Sequence, residues 1–126
     1  TVGHGLTSAP EFIMVKNRSI VSPWAVYHTS LADDQYMRLN EIAAAYTSSA
    51  RFNSTDPTAT VFSTGNDSSV AGNAVGENLI AYCWHGVEGF SKFGRYEGDG
   101  NADGPFVYLG FKPAMVIIKN KITVEA

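Results

Sequence analysis

A strand with apolar side chains on both faces is a strong constraint on a fold, because it has to be covered twice. Asn78 to Val87, NLIAYCWHGV, reads as such a strand. β-Branched and aromatic residues dominate it, and Gly76 and Gly86 bound it. Ile80, Tyr82 and Trp84 share one face at period two, with Leu79, Ala81, Cys83 and His85 on the other. The pattern predicts a central strand covered on both sides, as in a sandwich. Gly86, Gly89 and Gly94 then punctuate a more polar region, Phe90 to Tyr96, which the spacing predicts as a hairpin neighbour. A Gly/Asp loop follows, and then the apolar run Phe106 to Phe111.

The size of the chain limits what this strand can belong to. A chain of 126 residues makes one domain. It buries roughly two-thirds of its unfolded surface and folds without staples. Hydrophobic residues at 44%, charged residues at 17% and 12 glycines mark a lightly charged, loop-rich globular domain. A net charge of -3 with nine scattered basic residues argues against a nucleic-acid footprint, which needs clustered Lys and Arg. Cys83 is the sole cysteine, so no internal disulfide forms. No apolar run approaches the length of about eighteen residues that a membrane helix needs, so membrane insertion is not expected.

In chain order, Val2 to Ala9 is a glycine-containing lead-in. Glu11 to Asn17, EFIMVKN, is the first strand, and its four consecutive apolar residues predict burial on both faces. Ser22 and Pro23 turn the chain, and Trp24 to His28 returns. Tyr36 to Leu39 reads as a short strand. Asn40 to Tyr46 is alanine-rich and reads as a loop or one helical turn capped by Asn40. Thr47 to Pro57 is a polar surface loop, Thr60 to Ser63 a further strand, and Gly65 to Asn73 another polar turn.

The first strand recurs near the other end of the chain. PEFIMVKNR at 10–18 matches PAMVIIKNK at 113–121 in character throughout, with identities at Pro, Lys and Asn. A strand repeated 103 residues later implies either an internal pseudo-repeat or the opening of a second copy of the module. The expectation is a single β-sandwich module over 1–126, standing alone, as a fragment, or as one unit of a tandem array.

Candidate chemistry is sparse. Asp99, Asn101, Asp103 and Gly104 match the first half of a calcium-loop pattern, in which alternate oxygen ligands wrap a cation. Gly110 stands where the bidentate Glu belongs, and Pro105 follows directly, so a turn held by Asp and Asn on the local backbone is the competing reading. Cys83 and His85 share a face, but two ligands do not make a zinc site, and His4 and His28 lie at no ligand spacing from them. There is no G-x-S-x-G elbow, and a cysteine inside a strand is not activated. Glu77, Glu88 and Glu97 are the acidic residues that a glycoside-cleaving pair would draw on. The aromatics Trp24, Tyr27, Tyr82, Trp84, Tyr96 and Tyr108 stack on sugar rings if exposed and fill a core if not.

The blocks 9–18, 24–28, 52–62, 76–98 and 102–119 together resemble a domain of uncharacterised function. That domain recurs in tail-associated structural proteins of marine and other environmental tailed bacteriophages. The resemblance spans nearly the whole chain and brings no catalytic or ligand residues with it. It implies a virion structural module, set beside similar modules, with an antiparallel β-sandwich of jelly-roll or lectin-like form and long polar loops. In that family the second P-x-x-V-I-I-K-like strand runs on into a W-x-x-Y-like segment, whereas here KITVEA follows.

A cysteine-poor, lightly charged, aromatic-rich β domain suits a particle exposed outside cells. The expected role is therefore non-enzymatic, with no cofactor unless the 99–104 loop takes calcium. The expected partners are other copies of the chain, other virion proteins and a host-surface glycan. The ligand-binding candidates are Trp24, Tyr82, Trp84, Tyr96 and Tyr108, and the metal candidates are Asp99, Asn101 and Asp103. Capsid decoration, pure architecture and a carbohydrate-degrading tail enzyme are the alternative roles.

Overall fold

The structure, a computed structural model, describes residues 1–67 and 76–122. The strand at Phe12–Asn17 is paired along both of its edges, and the domain is built outward from it. Ile13, Val15 and Asn17 are buried on one face, while Phe12, Met14 and Lys16 are half-buried on the other, the alternation that a period of two dictates. The short strand at Val2–Gly3 is β1, so Phe12–Asn17 is β2. It is followed by β3 (Ala25–His28), β4 (Gln35–Arg38), β5 (Tyr46–Thr47), the single-turn helix α1 (Ser49–Phe52), β6 (Val61–Phe62) and β7 (Leu79–Trp84).

The fold is all-β, with two antiparallel sheets. One has five strands in the order β5-β4-β3-β2-β7, and the other is the two-stranded pair β1-β6. Phe62 from the small sheet and Phe52 from α1 pack with Ile13, Val15, Ala25, Tyr27 and Tyr36 in one apolar cluster, so the two sheets share a core as layers of a sandwich. Tyr27 donates from its hydroxyl to Asp56 Oδ1 at 3.1 Å, which satisfies the polar tip of an otherwise buried ring.

Asn17 is fully buried, and its side chain bonds at both ends. Its Oδ1 accepts from the N–H groups of Ser19 at 2.8 Å and Ile20 at 3.3 Å, and its Nδ2 donates to Glu77 Oε2 at 2.9 Å. This one side chain turns the chain out of β2 and ties that turn to the lead-in of β7. Helix α1 begins at Ser48, whose hydroxyl accepts from Ala50 N–H at 3.2 Å, and ends at Asn53 in the left-handed region, φ 58°. Its last carbonyls are taken by Gly65 and Asp67, whose N–H groups donate to Arg51 and Ala50. A side chain at Gly65 would overlap the Ala50 carbonyl, which explains the glycine there.

Several expectations are corrected by this arrangement. The apolar strand over 78–87 is formed as β7, but among the described residues it lies at the edge of the sheet rather than its centre, and β2 holds the position between β3 and β7. Phe90 to Tyr96 is not a hairpin strand: among the described residues its one ladder contact is an isolated bridge between Val87 and Ser91, which closes a tight turn around Gly89. Phe106 to Phe111 and 113–121 likewise form no strand ladder among the described residues and are largely exposed. The lead-in supplies β1, the alanine-rich 40–46 region is a loop running into β5, and the helical turn falls instead inside the polar 47–57 segment. Most of the predicted turn at 65–73 lies outside the described residues.

Two consequences can be measured. Ile13→Ala removes a fully buried side chain from the strand that both neighbours pair with, so it lowers stability by about 2–5 kcal/mol in urea unfolding. Burial also holds the His28 imidazole below its ordinary pKa of 6.5, with Glu11 pulling it up and Lys121 pushing it down as smaller effects. The unfolded chain then binds a proton that the folded chain resists, so the stability owed to neutral His28 is present above pH 6.5 and is lost as pH falls below it. His28→Gln flattens that acid limb in a series of melting curves.

Candidate functional site

The second face of the five-stranded sheet carries a row of aromatic rings. Its members come from four places in the chain. Antiparallel register sets Phe12 of β2 opposite Trp84 of β7 and opposite His28 of β3, and Tyr82 lies two residues before Trp84 on the same face. Trp24 precedes β3 and is fixed at the end of the hairpin: its N–H donates to Asn40 Oδ1 at 2.9 Å and its C=O accepts from Leu39 N–H at 3.0 Å.

The row runs Trp24, Tyr82, Trp84, Phe12, Phe93. Successive ring centroids are 6.4, 6.0, 5.6 and 5.8 Å apart, and the rings are stacked except at the tilted Phe12–Trp84 step. The His28 ring meets Phe12 edge-on at 6.1 Å. Such offset geometries are the ones that ring quadrupoles favour. Tyr82 and Trp84 are 40% and 38% exposed, whereas Trp24, Phe12 and Phe93 are partly buried. The outcome is a supported platform, with two rings offered to solvent and three bracing them.

Polar groups border the β7 end of the platform. Gly86 N–H donates to Glu11 Oε1 at 2.7 Å, His85 Nδ1 lies 2.8 Å from the Gly86 carbonyl, and His85 Nε2 lies 3.5 Å from Thr7 Oγ1. A Cβ at Gly86 would come within 2.8 Å of Glu11 Oε1, the movable end of a side chain that would have to shift. Lys16, opposite Ile80 in the register, turns its ammonium onto the Ser22 carbonyl and side chain.

Of the five aromatic candidates, Trp24, Tyr82 and Trp84 are brought together, and Tyr96 and Tyr108 are not. Tyr96 is half-exposed in the loop region after β7. Tyr108, 70% exposed, forms a separate pair with Lys92, whose Nζ donates to the Tyr108 carbonyl at 2.7 Å and lies 5.7 Å from the ring centroid. Phe12 and Phe93 were not expected in the site. Register alone would have placed Phe12 there, since a residue opposite Trp84 on β2 shares its face.

The loop at 99–104 is exposed and closed on itself. Asp99 Oδ1 accepts from Asn101 N–H at 3.0 Å, Gly104 N–H donates to the Asn101 carbonyl at 3.1 Å, and Gly100 and Gly104 have φ of 73° and 55°. The Asn101 N–H holds the Asp99 carboxyl below its usual range. This is the geometry of a turn in which Asp bonds its own backbone. Among the described residues no group of three His, Cys, Asp or Glu is placed to hold a metal ion.

Cys83 packs against the core, and burial pushes its thiol pKa up, the opposite of what a nucleophile needs. Glu77 is engaged by Asn17, and Glu88 and Glu97 are exposed.

Fold and site together define an all-β domain with an aromatic platform on the outer face of its larger sheet. The chain belongs to the DUF7483 family, a domain of unknown function, whose model matches residues 1–126. No curated protein and no solved structure matches it.

Because Trp84 is exposed over more than a third of its surface, Trp84→Ala costs about 1–2 kcal/mol, well below the loss at Ile13. Urea unfolding checks the magnitude, and near-ultraviolet circular dichroism reads the loss of the coupled Tyr82–Trp84 stack.

Proposed function

We propose that this domain is a non-enzymatic structural module of a bacteriophage virion, associated with the tail or a tail fibre, with a role in attachment to the host surface. The observation that carries the attachment role is the aromatic platform. Flat, braced rings beside hydrogen-bonding groups suit the apolar faces of sugar rings, with polar neighbours available for hydroxyls. The resemblance of nearly the whole chain to tail-associated domains suggests the setting. On this reading the domain sits in the extracellular particle, and its partners are other copies, other virion proteins and a host-surface glycan.

A second reading, capsid decoration or pure architecture, draws on a different observation. Phe106, Tyr108, Met115, Val116, Ile117 and Ile118 are 55–89% exposed, an amount of apolar surface that suits burial against other subunits. A carbohydrate-degrading tail enzyme draws least support. Glu88 and Glu97 are exposed, and the shallow recess of ≈ 140 Å³ beside β7 is lined by Val2, Val15, Phe62, Thr64, Leu79 and Ala81, five of which are apolar.

The test is binding of fluorescently labelled protein to a panel of bacterial cells and their extracted surface polysaccharides, with and without calcium. Saturable binding is expected, weakened about tenfold or more by Tyr82→Ala or Trp84→Ala while the fold is retained. Asp103→Ala and a chelator report on the 99–104 loop: loss of binding in both makes it a calcium site, and no change leaves it a turn. Failure of the assembled protein to bind any surface moves the domain to the architectural reading.

A further inference from the structure

The two edges of the five-stranded sheet are not alike. At one edge, beyond β5, the chain itself lies across the loop leading into the strand. Ala45 N–H donates to the Lys121 carbonyl at 3.0 Å, Lys119 turns its ammonium onto the carbonyls of Glu41 and Ala43, and Lys121 Nζ donates to the Ser30 carbonyl at 3.3 Å. At the other edge, β7 pairs with β2 alone among the described residues, so every second N–H and C=O along it faces outward. Leu79 and Ala81 at this edge border the apolar recess. An open, apolar edge strand is a template for another strand.

The chain carries a strand sequence suited to that template. The segment 113–121 repeats the pattern of 10–18, and 10–18 contains β2, the strand that pairs with β7 over six residues. Its copy is unpaired as a strand, and Met115, Val116, Ile117 and Ile118 are 77%, 64%, 55% and 67% exposed. Because Lys119 and Lys121 hold it at the β5 side, at the opposite end of the sheet, it is presented to a neighbour rather than to its own β7. We infer that residues 113–121 of one copy add as a strand to the free edge of β7 in a second copy. This rests on the assembly part of the reading above and names its contact.

The β2–β7 register, carried over to the repeat, sets Met115 opposite Trp84, Val116 opposite Cys83, Ile117 opposite Tyr82 and Ile118 opposite Ala81. Opposed residues share a face of the sheet, so Val116 and Ile118 continue the core side beside the recess, and Met115 and Ile117 lie along the aromatic row. The donor segment and the accepting edge are different surfaces. The contact is therefore heterologous, and repetition of it produces a ring or an extended fibre.

The full chain tests this directly. Light scattering across a concentration series should show the wild type assembling and Ile118→Asp remaining monomeric, with circular dichroism unchanged because the position is exposed. Since Cys83 is the native thiol, Val116→Cys should form an intermolecular 116–83 disulfide under mild oxidation, mapped by mass spectrometry. Met115→Cys, one residue out of register and facing the other side, should not. A wild type that stays monomeric throughout overturns the inference. So does an oligomer in which the two cysteine variants cross-link equally or not at all. Glycan binding is not read in any of these experiments, so failure here is separable from failure of the attachment role.

Discussion

The structure depends on β2 being hydrogen-bonded along both edges while both its faces are covered. One face delivers Ile13 and Val15 to the shared core and places Asn17 where it fixes the exit turn and reaches Glu77. The other face sets Phe12 under the aromatic row. Because opposed residues in an antiparallel ladder share a face, the position of Phe12 decides that Trp84 and His28 sit beside it, and the pleat then brings Tyr82 into line. A slip of one residue would turn the platform into the core and the core into solvent. The core and the candidate site are therefore specified by one register.

The far side of the sheet is built from different materials. Tyr36 and Tyr46 stack with centroids 5.3 Å apart, Arg38 lies 4.4 Å from the Tyr46 ring centroid and bridges to Glu41 at 3.0 Å, and Arg51 lies 4.8 Å from Tyr36 while bridging to Asp67 at 2.8 Å. Arg51 is nearly buried, so its ion pair is screened far less than a surface pair, and it holds α1 against β4. This polar and aromatic packing, with the two lysines of the 119–121 segment, closes the β5 side. The β7 side has no equivalent cover among the described residues, and the contrast gives the sheet a direction.

Much of the core was legible in the sequence. Short apolar runs bounded by turn residues located β2, β3, β4, β6 and β7, because burial in a small β domain demands that alternation. What could not be read was sheet order. Both faces of β7 carry apolar residues, which is the mark of a central strand, yet here one face serves the core and the other an aromatic platform, so an edge strand carries the same signature. The apolar runs at 106–111 and 115–118 look like strands for the same reason, but a strand needs a partner edge and none among the described residues is bonded to them. Of the candidate site, residue types were readable and their meeting was not: Trp24 and Tyr82 lie 58 positions apart and meet only through the hydrogen bonding of β2 between them. The 99–104 loop shows the converse, since its alternating Asp and Asn serve a calcium loop and a self-bonded turn equally well until the backbone path is known.

The face and the edge of β7 are independent resources. Side chains of Tyr82 and Trp84 stand off one face, whereas the outward N–H and C=O groups lie in the plane of the sheet, so a strand added there sets Met115 and Ile117 beside the rings and leaves their faces open. On the reading proposed here, strand addition along the edge places one aromatic platform per copy on the same side of a continuous sheet. A single braced pair of rings offers little area and hence weak affinity for a sugar. A row of such platforms on a shared sheet raises the effective concentration at each site once the first is engaged, so avidity can exceed single-site affinity by about 10²–10⁴ without any new contact. Assembly and attachment are then parts of one mechanism, and the edge strand that a solitary domain would have to protect becomes the element that makes a shallow binding face sufficient.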